Sequence, residues 1–335
     1  MELHDALTVL LSFALSAGGT WWFIGWLKSR NLVAVENDRT MHQGVVPQGG
    51  GIPVMIAIAA AAVFANPPSP PGWLALAALL SIVSGINDRW EISPLVRLLV
   101  QTVLVVLILV SFPRSTLLLG DWLPPPSDRL FVLAGLVWFI NLYNFMDGID
   151  GITGAETISI TAGALIVTHV SASPSDVHGL TLAVVGASAG FLVWNWHKAR
   201  IFLGDVGSIP LGFLTGAILL KLAAVTSLAA ALILPLYYLS DATLTLVRRF
   251  FRGEKVWHAH REHAYQRAAR ALGSHSAVVL RITACNCVLI GAAVLALAMP
   301  LTGLGLAAAA VFLLLRHLEA IAARSEPERS TPAGS

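Results

Sequence analysis

Long apolar runs, separated by short clusters of Gly, Pro and charged residues, follow one another along the chain. Runs of this length and hydropathy are typical of helices that cross a lipid bilayer. The pattern predicts an all-α, polytopic membrane helix bundle with about eleven transmembrane helices. Some runs are shorter than the roughly 20 residues that a perpendicular helix needs, so those helices are expected to extend into loops or to pack inside the bundle. The predicted spans lie near residues 7–27, 51–66, 72–86, 95–111, 130–141, 157–170, 180–196, 209–221, 228–240, 277–297 and 301–318.

The charge content also favours a lipid environment. Only 12% of the 335 residues are Asp, Glu, Lys or Arg, against about 25% in a typical soluble domain. Together with a mean hydropathy of +0.75, this excludes a soluble globular enzyme. The net charge of +2 and the lack of a basic tail give no indication of a nucleic-acid partner. Cys285 and Cys287 lie within an apolar run and are interpreted as packing residues.

The distribution of Lys and Arg predicts the orientation, because cytoplasmic loops retain positive charge. With the N-terminus outside, seventeen of these residues fall on the inner side and three on the outer side. Residues 1–6 carry no Lys or Arg, so the first run is expected to be retained rather than cleaved as a signal peptide. We expect one transmembrane catalytic domain, 1–320, and a disordered cytoplasmic tail, 321–335. Its polar cytoplasmic loops are predicted at 38–51, 85–94, 141–156, 197–208 and 241–276.

Four aspartates mark the inner ends of predicted spans: Asp88, Asp147, Asp150 and Asp205. An unpaired carboxylate beside hydrocarbon costs several kcal/mol, so a shared compensating charge is expected. Carboxylate oxygens without His or Cys ligands suit Mg²⁺, with Mn²⁺ as the alternative. For any one of them, a helix cap or a solvated loop charge remains an equally good interpretation.

Glycines and amides near these carboxylates suggest an anion site. Gly49, Gly50 and Gly51 precede a predicted helix, and their N–H groups could approach a phosphate, although a flexible turn is the simpler interpretation. Asn141 and Asn144 lie three residues apart and could bind a uracil edge, a sugar or a phosphate, or merely cap the helix.

A basic segment follows in the last inner loop. It is predicted to form a helix ending near Gly273, with His260, His263 and Arg267 at i, i+3 and i+7 on one face. Such a face could hold a pyrophosphate. An interfacial helix that binds lipid headgroups is an alternative, and a zinc site is disfavoured by the spacing.

Two stretches resemble the signatures of a known family. NLYNFMDGIDG (141–151) resembles N-x-x-N-x-x-D-G-x-D-G, and FLGDVGS (202–208) resembles F-x-G-D-x-G-S, of the polyprenyl-phosphate N-acetylhexosamine-1-phosphate transferases, glycosyltransferase family 4. DRTMHQGVVPQGGG (38–51) and ILPLYYLSDATLTLVRR (233–249) also look like segments of this family. The basic loop is similar to the branch that initiates O-antigen or related glycans.

The resemblance implies transfer of a sugar 1-phosphate from a UDP-N-acetylhexosamine of the GlcNAc, FucNAc or QuiNAc type to undecaprenyl phosphate, with release of UMP. It implies a bacterial inner membrane, an active site facing the cytoplasm, contacts with membrane lipid and a candidate homodimer. Asp205 is predicted to be the leading Mg²⁺ ligand, assisted by Asp88. Catalytic roles are predicted for Asp88, Asp147, Asp150, His260 and His263, and substrate binding for Asn141, Asn144, Arg267, His42, Arg39, Gly49 and Gly50.

Two departures from the family pattern qualify this prediction. Asn87 stands where relatives usually place the first of two adjacent aspartates, and Gln48 stands where they often carry a basic residue. A phosphate nucleophile is already ionised near neutral pH, so loss of a base does not by itself abolish the reaction. A weakened enzyme nevertheless remains an alternative at this point.

Two other classes of protein compete with a transferase. A transporter or lipid flippase would also have many spans, but would place its binding groups near the membrane midplane. An intramembrane aspartyl protease would need a close pair of aspartates that share one proton, and would leave the Asn, His and Arg residues without a role.

Overall fold

The computed structural model describes residues 3–30, 46–65, 71–90, 92–113, 119, 123–255 and 260–325. Within these ranges the chain is all-helical, and extended pairing is limited to one bridge between Gln48 and Phe202. Arg39 and His42 lie outside the described residues. The helices are α1 (Leu3–Ser29), α2 (Gly51–Phe64), α3 (Pro71–Arg89), α4 (Pro94–Ser111), α5 (Pro125–Phe145), α6 (Ile152–Val170), α7 (His178–Asn195), α8 (Asp205–Val225), α9 (Leu228–Ile233), α10 (Leu236–Phe251), α11 (Ala264–Leu272), α12 (His275–Leu295) and α13 (Pro300–Ser325).

The all-helical membrane architecture is confirmed in its main features. Six helices among the described residues are long and apolar enough to cross a bilayer, and two shorter apolar helices accompany them. The predicted span 228–240 was wrong, because the chain forms two helices there, α9 and α10. The interruption coincides with Pro235, which lacks the N–H group that a continuous helix would use. The count of about eleven spans and the orientation stay predictions.

Small residues allow the helices to pack closely. Gly186 and Gly190 of α7 lie directly against the backbone of α1, and the Trp194 indole donates to the Ala17 carbonyl at 2.9 Å. Side chains larger than hydrogen at these two glycines would collide with α1, which explains why glycines occupy them. The contacts run in the same order along both helices, so α1 and α7 are parallel and end at the same side of the bundle.

The buried helix α8 organises the site end of the bundle. Ser81 of α3 donates to the Val206 carbonyl at 2.8 Å, and Gly212 of α8 lies against Tyr143 of α5. The C-terminal ends of α3 and α5 therefore meet the N-terminal end of α8. Because polar residues occupy all three of these ends, this junction brings together chemistry that is far apart in the sequence.

Candidate active site

Two carboxylates meet at the first turn of α8. Asp205 is the first residue of this helix, and its side chain is 15% exposed. The Asp88 carboxylate, from the end of α3, accepts hydrogen bonds from the N–H groups of Asp205 at 3.3 Å and Val206 at 3.1 Å. Asp88 therefore caps α8 from another helix, a position that the positive end of the helix dipole favours for an anion. The preceding Gly204 has φ +75°, a backbone conformation that favours glycine.

Three further side chains surround this pair. Asn87 donates through Nδ2 to Asp205 Oδ2 at 3.1 Å, and Arg97 Nη1 lies 3.4 Å from the same oxygen. Gln48 donates through Nε2 to Asp88 Oδ1 at 3.3 Å. Arg97 thus supplies one positive charge beside two carboxylates, which leaves negative charge to be balanced.

Asp147 lies in the turn between α5 and α6, next to the same helix end. The Thr153 hydroxyl donates to Asp147 Oδ1 at 2.6 Å, and the Ser208 hydroxyl of α8 donates to Asn144 Oδ1 at 2.6 Å. The pKa of Asp147 is raised to about 6. Burial is the main cause, the hydrogen bond from Thr153 opposes it, and the nearby carboxylates of Asp205 and Asp150 add to it. A cation at this junction would relieve that repulsion.

Asn141 turns away from Asn144. Its amide Nδ2 donates to Gln101 Oε1 of α4 at 2.6 Å and to the Val137 carbonyl at 2.8 Å. Only Asn144 therefore contacts the first turn of α8, and substrate binding by Asn141 stays a prediction.

Asp150 belongs to a different cluster from the other three aspartates. Its Oδ2 atom accepts from the Ala199 N–H group at 3.1 Å and lies 3.3 Å from His197 Nδ1 and 3.2 Å from His275 Nδ1. The place of Asp150 beside the cation expected at the first turn of α8 stays a prediction. The next residue, Gly151, is left-handed (φ +76°), and its N–H group donates to Asn195 Oδ1 at 2.9 Å.

The basic segment is only partly helical. Helix α11 begins at Ala264, so His263 is its N-cap and His260 lies before it. The predicted single helical face carrying His260, His263 and Arg267 was wrong for this reason. The two histidine rings nevertheless lie together, with centroids 4.8 Å apart.

A buried aspartate holds this segment in place. Asp241 of α10 accepts hydrogen bonds from the N–H groups of Ala264 at 3.0 Å and Tyr265 at 3.3 Å, and its Oδ1 lies 3.7 Å from His263 Nδ1. Tyr265 in turn donates through its hydroxyl to the Phe145 carbonyl at 3.4 Å. The histidine segment is thereby anchored beside the turn that carries Asp147.

The glycine triplet is used for close packing. The N–H groups of Gly49 and Gly50 donate to the Phe202 carbonyl at 3.1 and 2.9 Å, and that of Gly51 donates to the Leu203 carbonyl at 2.9 Å. These N–H groups are therefore not free, contrary to the expectation from the sequence. Contact of Gly49 and Gly50 with a substrate stays a prediction.

Part of the chain is similar to a known family of glycosyl transferases. The sequence model of the family described as Glycosyl transferase family 4 matches residues 71–223. A Bacillus subtilis protein named as a probable undecaprenyl-phosphate N-acetylglucosaminyl 1-phosphate transferase is 26% identical over 263 residues, covering 73% of this chain and 72% of that protein. Residues 71–223 are therefore similar to glycosyl transferase family 4.

Other similar proteins carry related names. The decaprenyl-phosphate N-acetylglucosaminephosphotransferase of Mycobacterium leprae is 29% identical over 325 residues, covering 84% of this chain and 81% of that protein. The phospho-N-acetylmuramoyl-pentapeptide-transferase of Bacillus velezensis is 44% identical, but over 95 residues, which are 28% of this chain and 29% of that protein.

The family match includes the carboxylate junction. Residues 71–223 contain Asp88, Asp147 and Asp205, whereas the histidine segment lies beyond them. The departure at Asn87 also falls inside the match. The Asn87 amide stabilises the Asp205 carboxylate through a hydrogen bond, where an aspartate would add a further negative charge.

Several residues of the site were not singled out from the sequence: Arg97, Thr153, Asp241, His197, His275 and Ser208. Asp241 and Ser208 could have been found, because both lie inside segments that resemble the family, 233–249 and 202–208. The two histidines carry no local signal, since their partners are distant in the sequence.

Proposed function

We propose that this protein is a family 4 glycosyl transferase that moves a sugar 1-phosphate from a UDP-N-acetylhexosamine to undecaprenyl phosphate and releases UMP. The observation that carries this proposal is the meeting of Asp88, Asp147 and Asp205 at the N-terminal end of α8. Carboxylates at the positive end of the α8 dipole form an environment suited to a cation and two phosphates. The names of the relatives favour N-acetylglucosamine, with N-acetylfucosamine and N-acetylquinovosamine types as the other candidates.

The donor atoms at the junction fit Mg²⁺, with Mn²⁺ as the alternative. Asp205 and Asp88 both offer carboxylate oxygens at the first turn of α8. Hard oxygen ligands are the ones that Mg²⁺ prefers. Arg97 Nη1 pairs with Asp205 Oδ2. A metal bound to that oxygen would free the Arg97 guanidinium to contact a substrate phosphate. When bound, Mg²⁺ would supply charge neutralisation for the phosphoryl oxygens.

The transfer itself exchanges one phosphoanhydride for another. An oxygen of the lipid phosphate attacks the β-phosphorus of the UDP-sugar, and the bond from that phosphorus to the bridging oxygen breaks, so that UMP leaves with this oxygen. Because the nucleophile is already an anion, the main work of the protein is positioning and charge neutralisation. We assign Asp147 and Asn144 to the nucleotide-sugar pocket.

The histidine segment is assigned to the diphosphate. His260 and His263 lie side by side, and Asp241 and Tyr265 fix the segment beside the Asp147 turn. Imidazoles and the Arg267 guanidinium can donate hydrogen bonds to phosphate oxygens. This assignment keeps the predicted role of the segment, although its helical face does not form.

The proposal extends to location. The positive residues of the inner loops favour a protein with its N-terminus outside and its site in the cytoplasm, and the family resemblance favours a bacterial inner membrane. We assign residues 1–320 to one catalytic domain, and the product would begin O-antigen or another cell-envelope glycan.

Release of UMP from purified protein tests the proposal. Protein in detergent is incubated with undecaprenyl phosphate, Mg²⁺ and each UDP-sugar, and UMP and lipid-linked sugar are measured. Asp205→Asn is expected to lower the rate by about 10²-fold or more, since it removes a charge from the junction. Asp176→Asn is the matched control, because Asp176 is an exposed aspartate paired with Lys221 away from the junction.

Three outcomes would contradict the proposal. Absence of UMP with every UDP-sugar would favour a transporter or flippase. Full activity in the presence of a chelator would contradict the metal assignment, and unchanged turnover by a folded Asp205→Asn variant would contradict the role of Asp205.

A further inference from the structure

A compact group of metal-binding side chains lies apart from the first turn of α8. It consists of Asp150 after α5, His197 between α7 and α8, and His275 at the start of α12. Their ligand atoms lie within 4.8 Å of one another. The side chains of Asp150 and His275 are buried, and that of His197 is 24% exposed, so an ion could enter from one side.

The distances match those of a tetrahedral metal site. Asp150 Oδ2 lies 3.3 Å from His197 Nδ1 and 3.2 Å from His275 Nδ1. A tetrahedral ion with bonds of about 2.0–2.1 Å separates neighbouring ligand atoms by about 3.4 Å. Two of the three separations therefore already have the required length.

The ligand types select the metal. Two imidazoles with one carboxylate suit Zn²⁺ and similar transition metals, whereas Mg²⁺ prefers oxygen ligands. This composition differs from that of the junction at α8, where carboxylates meet without histidine. We propose that Asp150, His197 and His275 bind one Zn²⁺ ion at a second site, separate from the site proposed for Mg²⁺.

Surrounding hydrogen bonds hold the ligands in position. The Ala199 N–H group orients the Asp150 carboxylate at 3.1 Å. Asn195 accepts from the Gly151 N–H group at 2.9 Å and donates to the Ile201 carbonyl at 2.9 Å, which ties the two loops together. Hydrogen bonds that orient the ligands from outside are typical of metal sites.

Zinc at this site would have two structural consequences. It would join the turn after α5, the segment between α7 and α8, and the start of α12, which are held otherwise by hydrogen bonds. It would also neutralise Asp150, whose carboxylate raises the pKa of Asp147. The second site would therefore connect metal binding to the electrostatics of the junction.

Titration with Co²⁺, a spectroscopic substitute for Zn²⁺, tests this proposal without any UDP-sugar. Protein purified without a histidine tag is titrated with Co²⁺ in excess Mg²⁺, and the visible ligand-field absorption of tetrahedral Co²⁺ is followed. We expect saturation at one equivalent and displacement by Zn²⁺. His197→Gln and His275→Gln are each expected to weaken binding at least about 10-fold.

His178→Gln is the matched control, because His178 also lies beside an aspartate, Asp5, at 3.3 Å. It should bind Co²⁺ like the wild type. Thermal unfolding in detergent shows that each variant is folded. The His197 variant is the decisive one, because His197 is the partly exposed member of the group. Absence of saturable tetrahedral absorption, or equal binding by His197→Gln and wild type, would mean that the group is a hydrogen-bonded Asp–His cluster only and would overturn the proposal. Either result leaves the test of UMP release unaffected.

Discussion

Replacing Asn87 by aspartate restores the carboxylate that the family usually carries and probes the charge balance at α8. Asn87 Nδ2 lies 3.1 Å from Asp205 Oδ2. Two unit charges at that distance repel by about 5 kcal/mol at an effective dielectric constant of about 20. The position is half-buried and the new side chain can turn to solvent, so we expect a smaller loss. The charge repulsion and the lost hydrogen bond together should lower the free energy of unfolding by about 2 kcal/mol in the absence of metal.

Bound Mg²⁺ should reverse the sign of this effect. The added carboxylate then faces a cation, so Asn87→Asp is expected to bind Mg²⁺ more tightly and to gain more thermal stability from it than the wild type. The assay is thermal unfolding in detergent, with EDTA and with increasing Mg²⁺, for wild type, Asn87→Asp and Asn87→Ala.

The alanine variant separates the two contributions, because it loses the hydrogen bond without gaining a charge. If Asn87→Asp in EDTA were as stable as the wild type, the close approach of residues 87 and 205 would be refuted. If it were destabilised in EDTA but gained nothing extra from Mg²⁺, the geometry would stand and the metal assignment would fail.

Two further substitutions test the surroundings of the junction. Thr153→Val removes the hydrogen bond that lowers the pKa of Asp147, so the acidic limb of the pH profile of UMP release should move to higher pH. Thr153→Ser should keep the wild-type profile. An unchanged acidic limb in Thr153→Val would contradict the role of ionised Asp147. Gly51→Ala would place its Cβ against the backbone of Gly207 and should cost about 1–3 kcal/mol or more, measured as a lower Tm. Gly18→Ala, with open space around its Cβ, is the control, and equal stability of these two alanine variants would refute the packing argument.

The family and the main chemical groups could be predicted from the sequence, because they depend on local patterns. Apolar runs indicated helices in lipid, and the signatures around Asp147 and Asp205 indicated the transferase family. The break at Pro235 was not predicted, since the apolar run continues across it. Hydropathy records the environment of a segment and is a weaker indicator of where a helix ends within it.

The partners of each polar group could not be predicted, because they come from distant parts of the chain. Asp150 and Asp147 are three residues apart, yet Asp150 Oδ2 lies 3.2 Å from His275 Nδ1, whereas Asp147 Oδ1 accepts from the Thr153 hydroxyl. Nothing in the local sequence specifies that contact.

The sequence by itself indicated the membrane bundle, the family resemblance and which residue types carry charge, since hydrophobicity and motif spacing are properties of neighbouring residues. Only the tertiary structure decided that Asp88 caps α8, that Arg97 and Asn87 share Asp205, and that the glycine N–H groups are already paired. These are properties of helix ends brought together by packing, and the free energy of burying a charge depends on every group that surrounds it.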